Sequence, residues 1–254
     1  MPVHASARPI DYVAAVRREA EALSAVAHAG PLDAPVEACP GWDVARLVGH
    51  VGSVHRWATV AVVTGAQPDR AALERPPRDP ESIADWFDVG VGPLADALAA
   101  VDDDAPVWNF SAYPDVGRFW PRRQAQETAV HRWDAQRAVG RPEPIEPGLA
   151  TDGIDELLEV WGTTILGDRD GIDIGGSVRL VATDGPAEPW TIWTDDGVFS
   201  VSRSDGGVTA DVTVRGSASD LLLLLWRRLP AYAASLAVEG DGRILDRWLR
   251  LGMP

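Results

Sequence analysis

The sequence contains no lysine. All 23 of its basic side chains are arginines, set against 38 aspartates and glutamates, for a formal net charge of −15. That balance argues against nucleic acid or an anionic membrane as the main partner. There is one cysteine, Cys39, so neither an internal disulfide nor an all-thiolate zinc site can form. No apolar run approaches the roughly 20 residues of a membrane-spanning helix; LLLLLW at 221–226 is far too short. The opening MPVHASARPIDYV has no apolar signal-peptide core, and the expected location is the cytoplasm. No internal repeat or low-complexity tract is visible. What is there is an ordinary soluble composition, 46% hydrophobic and 24% charged over 254 residues, enough for one large domain or two. Heavy use of Ala, Gly, Val, Asp, Pro and Arg points to a GC-rich coding sequence.

Helical periodicity dominates the first half. Ile10, Val13, Val16, Ala20 and Leu23 predict a helix over 9–28, stopped by Gly30-Pro31. Asp43 is a good N-cap for a second helix over 44–64, with Trp42 placed to staple onto Leu47. A linker rich in Pro, Arg and Asp follows at 65–79 and is expected to be exposed. Asp79-Pro80 opens a third helix to about Val101, with an interruption expected at Gly90 to Pro93. The fourth helix, Trp120 to Gly140, carries Pro121 in its first turn and ends at Gly140-Arg141-Pro142. Four such helices with a long crossing connection predict a four-helix bundle. After the Pro-rich stretch 141–150 comes a helix over about 149–165, then strands at 177–183, 190–194, 198–203 and 208–216. Asp195-Asp196-Gly197 marks a hairpin. Ser217 caps a further helix to Leu229, followed by a short strand from Leu236 to Glu239 and a last helix over 241–250. The expected fold class is therefore a helical bundle over 1–145 followed by a small α+β domain over 146–254.

The fourth helix carries the chemistry. Glu127 and His131, four apart, project from one face, and Gln124 and Asp134 extend it; Ala125, Ala129, Val130 and Trp133 form the expected buried stripe opposite. A carboxylate and an imidazole on adjacent turns can hold a divalent metal but cannot close a site alone. The same spacing also suits a solvated face or a local hydrogen bond. Of the five histidines, His4 lies near the terminus and His28 ends the first helix, where a cation suits the dipole. His50 and His55, five apart, diverge, so one at most faces the bundle axis with Glu127. His50, beside Gly49 and Gly52, is the better third ligand, because small neighbours let another helix approach.

Cys39-Pro40-Gly41-Trp42-Asp43-Val44, running on through Leu47-Val48-Gly49-His50-Val51, resembles the opening signature of the mycothiol-dependent maleylpyruvate isomerase family, which belongs to the DinB/YfiT-like metal-binding bundles. Glu127-Thr128-Ala129-Val130-His131-Arg132-Trp133-Asp134 resembles its second signature, and the C-terminal half is similar to the sterol-carrier-like domain that follows the bundle in many members. The resemblance spans nearly the whole chain and implies His50, Glu127 and His131 as ligands of a divalent metal, zinc by default, with mycothiol as thiol cosubstrate. Mycothiol is actinobacterial, in keeping with the GC-rich composition.

Two neutral imidazoles and one carboxylate leave a zinc ion with charge +1 and an open position, the catalytic pattern. The resemblance implies a thiolate that adds to a cis double bond and leaves after rotation, giving the trans product, or that stays attached as in an S-transferase. The substrate is then a small electrophile. Asp134 is expected either to orient a ligand imidazole or to pair on the surface with Arg132 or Arg137. Arg215, at a strand end before the helix capped by Ser217, is a candidate for an acidic substrate or else a solvated arginine. Cys39 reads as a small buried hydrophobe, with nothing beside it to lower the pKa of the thiol. Trp42, Trp57 and Trp133 are expected to flank the site. A non-enzymatic small-molecule binder and a metal-dependent hydrolase remain as alternatives, and a monomer is the default.

Overall fold

The structure, a computed structural model, describes residues 10–162, 173–185, 188–203 and 209–251. His4, the end of the helix expected to reach 165 and the first residue of the strand expected at 208–216 lie outside them. Two compact units are present: residues 1–108 with 116–143, and residues 109–115 with 144–254.

The first unit is built on α1 (Tyr12–Ala29), α2 (Val44–Thr64), α3 (Ile83–Ala100) and α4 (Phe119–Ala138). Each start has a local cause. The carboxylates of Asp11 and Asp43 accept the backbone N–H groups of Ala14 and Arg46, satisfying donors that the first turn leaves without a helical partner. Gly140, at φ 76°, lets α4 stop: its N–H and that of Arg141 return to the carbonyls of Arg137 and Gln136.

Helices α1 and α2 each pack against both α3 and α4. Contacts fix the directions. Arg17 meets Asp96 and His28 meets Asp88, so α1 and α3 are antiparallel. Gly49 abuts Ile83 and Gly52 abuts Trp86, so α2 and α3 are parallel. His50 meets Glu127 while Trp57 packs on Trp120, so α2 and α4 are antiparallel. A core of Leu23, Leu47, Val51 and Phe87 fills the space between, with Trp42 packed against it. Removing Leu47's side chain there would cost about 2–5 kcal/mol.

Two expectations need correction. Helix α3 runs unbroken through Gly90 and Pro93. Proline removes the bond to the carbonyl four residues back, which is that of Val89, and Val89 is 71% exposed, so water can serve that oxygen. Gly90 is needed because the Arg56 guanidinium lies where its Cβ would be, 2.5 Å away. The second concerns α4. Its apolar stripe is buried, but so is the rest: 16 of its 20 residues are buried, among them Arg123, Gln124, Gln126, Arg132 and Asp134. Arg132 is held by Glu19 of α1 at 2.8 Å, by Gln136 at 2.8 Å and by the Glu143 carbonyl at 2.6 Å, so its burial is compensated.

The second unit contains α5 (Pro147–Glu156), continued by a π-helical turn to Trp161, and a five-stranded sheet in the order β3-β2-β1-β4-β5. The strands are β1 (Ser177–Ala182), β2 (Trp190–Asp195), β3 (Val198–Arg203), β4 (Val212–Gly216) and β5 (Ala237–Gly240). Only the β1–β4 pair is parallel. Asp196 and Gly197 both have positive φ, the backbone of a two-residue hairpin turn, between β2 and β3. Ser217 caps α6 (Ala218–Leu225), which packs on α5, β1 and β4, and α7 (Gly242–Arg250) packs on β1 and β4. The leucine run lies on α6 and is wholly buried. The architecture is a helical bundle followed by a small α+β unit, as the sequence predicts. No helix among the described residues is long and apolar enough to cross a membrane.

Candidate metal centre

Antiparallel packing of α2 on α4 brings His50 opposite Glu127 and His131. His50 Nε2 lies 3.3 Å from Glu127 Oε1, and His131 Nε2 lies 3.4 Å from the same oxygen. The three donor atoms fall within 4.8 Å of one another. Ligands at about 2.1 Å from a tetrahedral zinc ion are separated by about 3.4 Å, which the two Nε2–Oε1 separations match. His50 is the more open ligand and His131 the buried one, with side chains 36% and 10% exposed.

The surrounding residues set orientation and charge. His131 Nδ1 lies 3.0 Å from Asp134 Oδ2, a carboxylate with no solvent exposure. Donation from Nδ1 leaves the Nε2 lone pair aimed at the other two donors. Arg132 pairs with Glu19 and Arg137 with Glu37. The second oxygen of Glu127 is held by Arg123 Nη2 at 3.2 Å. The Trp42 ring packs on His50 at 5.0 Å, and the two imidazoles meet edge to face at 5.2 Å.

Without a metal the cluster organises around a proton. Burial works against a charged His131, but Glu127 and Asp134 outweigh it and raise its pKa to about 9. Burial likewise opposes ionised Glu127, yet His131, His50 and Arg123 hold its pKa well below the usual carboxylate range. In the metal-free chain the positive charge at the cluster is therefore the proton on His131. A cavity of about 490 Å³ opens on His50, lined by Trp42, Arg46, Ser53, Pro76, Arg78 and Ile83 among others.

Family profiles cover both units. Residues 13–136 match the Mycothiol maleylpyruvate isomerase N-terminal domain, and residues 148–247 match the C-terminal domain of the same enzyme. The chain belongs to the mycothiol-dependent maleylpyruvate isomerase family. The crystal structure of a mycothiol-dependent maleylpyruvate isomerase shares the fold of this family member with a TM-score of 0.58 at 13% identity, covering 91% of this chain and 93% of that one. A histidine-to-alanine mutant of such an isomerase gives 0.54 at 12% identity, over 84% and 86%. Two uncharacterized proteins of Mycobacterium tuberculosis, from strains CDC 1551 / Oshkosh and H37Rv, are each 28% identical over 96% of this chain and 95% of their own.

The remaining residues singled out by sequence fall in different places in this family member. His55 is wholly buried on α2 and reaches Thr128, not the metal cluster. Trp57 packs with Trp108 and Trp120, and Trp133 with Arg137, so Trp42 alone of the three lines the cavity at His50. Arg215 is exposed on β4 of the second unit. Cys39 is half-buried, and its sulfur lies within 4.8 Å of donor atoms of His131 and Asp134; an imidazole does stand beside it, contrary to the sequence reading. No local signal in the sequence joins Cys39 to residues more than 90 positions away. Arg123 is the other residue sequence reasoning passed over, although its four-residue spacing from Glu127 is a visible signal.

Proposed function

We propose that the chain is a metal- and mycothiol-dependent enzyme acting on a small electrophile, by cis–trans isomerisation of the maleylpyruvate type or by transfer of the thiol. The observation that carries this reading is the convergence of two imidazole Nε2 atoms on one carboxylate oxygen, at 3.3 and 3.4 Å, one of those imidazoles, His50, lining a cavity. His50, Glu127 and His131 would hold one divalent ion, zinc by default, although this donor set also suits iron, nickel or cobalt. A divalent ion held there would supply the Lewis acidity that favours the thiolate, the reactive form of a thiol.

The chain's own residues supply the rest. Asp134 accepts the Nδ1–H of His131 and fixes which nitrogen is free to ligate. Trp42, Pro76, Pro80 and Ile83 form apolar walls beside His50, and displacing water there strengthens the attraction between a cationic centre and an anionic nucleophile. The protein needs no nucleophile of its own, because the thiol arrives with the cosubstrate. The family assignment and the shared fold support the reading.

The test is metal content of the purified protein beside His131→Ala, followed by turnover assays with and without mycothiol. About one equivalent of metal in the wild type and little in the variant is expected for a three-ligand site. Wild-type protein that holds no metal after zinc is added overturns the proposal. Turnover without added thiol would favour a hydrolase.

A further inference from the structure

We propose that Arg46 and Arg78 form a carboxylate-docking subsite on the wall of the cavity at His50, which selects anionic electrophiles over neutral ones of the same shape. This rests on the reading above, that the cavity receives the substrate, and names the residues that choose it.

The chain carries a net charge of −15 and as a whole repels anions, so a place meant for one needs cations of its own. The cavity wall has two, Arg46 and Arg78, against one carboxylate, Asp43. That carboxylate is already engaged, since its Oδ1 accepts the Arg46 backbone N–H at 2.8 Å. Arg56 and Arg132 are tied into the fold by Glu74 and Glu19. Arg46 and Arg78 are exposed, and among the described residues neither has a carboxylate partner. Arg46 lies over the Trp42 ring at 5.1 Å, and its contact with the Gly41 carbonyl is a long one, 3.5 Å. Stacking occupies the face of a guanidinium and leaves its N–H edge, a fork that matches a carboxylate, for another partner.

Their placement ties this edge to the metal centre. Arg46 is four residues before His50 on α2, so the two side chains share a face, and Trp42 packs on both. Arg78 comes from the facing wall. The segment after α2 returns against it at Gly49, where a Cβ would lie 3.3 Å from Pro76, and Arg78 follows two residues later. A carboxylate held by these two arginines leaves the rest of a small molecule in a cavity of about 490 Å³ whose wall includes His50.

The probes are maleamate, a cis-alkene with one carboxylate, and maleamide, its neutral diamide, titrated without thiol into the full-length protein and followed by ligand-observed NMR. Zinc-loaded and chelator-treated protein are compared. Maleamate should bind the wild type about tenfold more tightly than maleamide, with a gap that narrows as salt is added. Arg46→Gln and Arg78→Gln should each weaken maleamate about fivefold, the scale of exposed ion pairs, and leave maleamide unchanged. Arg75→Gln, on the same segment but off the cavity wall, should change neither. Equal or undetectable binding of the two probes to the wild type overturns the inference. So does an equal loss for both probes in the variants, which marks a change of shape, or an equal loss in Arg75→Gln, which marks a general effect of charge. Maleamate binding that disappears with zinc and ignores the arginines places the carboxylate on the metal and also overturns it. Should Arg46→Gln not fold, Arg78→Gln and the wild-type pair of titrations decide. Wild-type protein that takes up no zinc yet keeps arginine-dependent maleamate binding overturns the metal reading alone.

Discussion

Asp134 is the side chain whose loss should separate orientation from charge. Its carboxylate accepts from His131 Nδ1 and has no solvent exposure. Asp134→Asn keeps the shape but offers a weaker acceptor, so metal affinity should fall by about 10- to 100-fold while the fold, read by circular dichroism, is retained; a competition titration with a chromophoric chelator measures it. His55 makes a different prediction. The Thr128 hydroxyl donates to the Gln124 carbonyl, so it accepts from His55 Nε2–H, and the buried Nδ1 has no partner. Burial, with a smaller push from Arg56 and against the pull of Glu127, lowers the pKa of His55 from 6.5 to about 4. Between those values the unfolded chain carries the proton and the folded one does not, so stability falls as pH drops from 6.5 toward 4. Over that window the loss is roughly 2–3 kcal/mol. His131 stays charged in the folded chain throughout, and Glu127 titrates well below its usual range there. Urea unfolding of metal-free protein at pH 6.5 and 4.5 should show this loss, and His55→Gln should reduce it; an equal loss in both proteins would rule it out.

At the scale of elements, the approach of α3 to α2 depends on two residues without side chains. A Cβ on Gly52 would lie 2.5 Å from the Trp86 ring, and Trp86 is itself covered by the Arg56 guanidinium at 3.7 Å. Gly52→Ala gains about 0.5–1 kcal/mol in helix propensity but should lose about 1–3 kcal/mol to overpacking, for a net fall in thermal midpoint readable by calorimetry. Much of this level was legible in the sequence. The caps at Asp43 and Ser217, the stop at Gly140 and the hairpin at Asp196-Gly197 are short-range signals, and each is where the sequence puts it. The unbroken α3 was not legible, because Pro93 is tolerated only where solvent reaches the Val89 carbonyl. The all-round burial of α4 was not legible either. Nothing in the sequence marks Arg123, Arg132 and Gln136 for burial until Glu19, Glu127 and the Glu143 carbonyl are placed against them. In the candidate site, Glu127 and His131 follow from helical spacing, and His50 was preferred to His55 for its glycine neighbours, whereas the burial of His55 against Thr128 is visible only in the fold. Cys39 beside His131 is a purely tertiary fact.

The whole chain passes from the first unit to the second at 108–109, returns at 115–116 and leaves again at 143–144. The first unit is therefore completed only when α4 arrives, and the Glu19–Arg132 pair, 113 residues apart in sequence, cannot form before then. Because the proposed ligands come from α2 and α4, metal binding should stabilise that closure. Zinc at about 100 times its dissociation constant should add about 2.7 kcal/mol to the stability of the folded state, seen as a higher melting temperature that a chelator or His131→Ala abolishes. An equal gain in His131→Ala would place the bound ion elsewhere.

The parallel run of α2 and α3 carries a consequence for how such a protein diversifies. Two parallel neighbours cannot be joined by a tight turn, so the chain must travel back from Thr64 to the level of Gly49, about 22 Å at helical rise. The return strand, residues 65–79, is mostly exposed, and its last stretch, with Pro76, Pro77 and Arg78, walls the cavity at His50. A segment that topology requires only for its length is thereby also the part that faces an incoming molecule. Within 70–78 no residue is a proposed metal ligand or a cap, and Glu74, which accepts from Arg56 and Trp86, is the one to keep. Grafting experiments that trade 70–78 between relatives would ask whether substrate preference travels with that strap while the metal stays where it was.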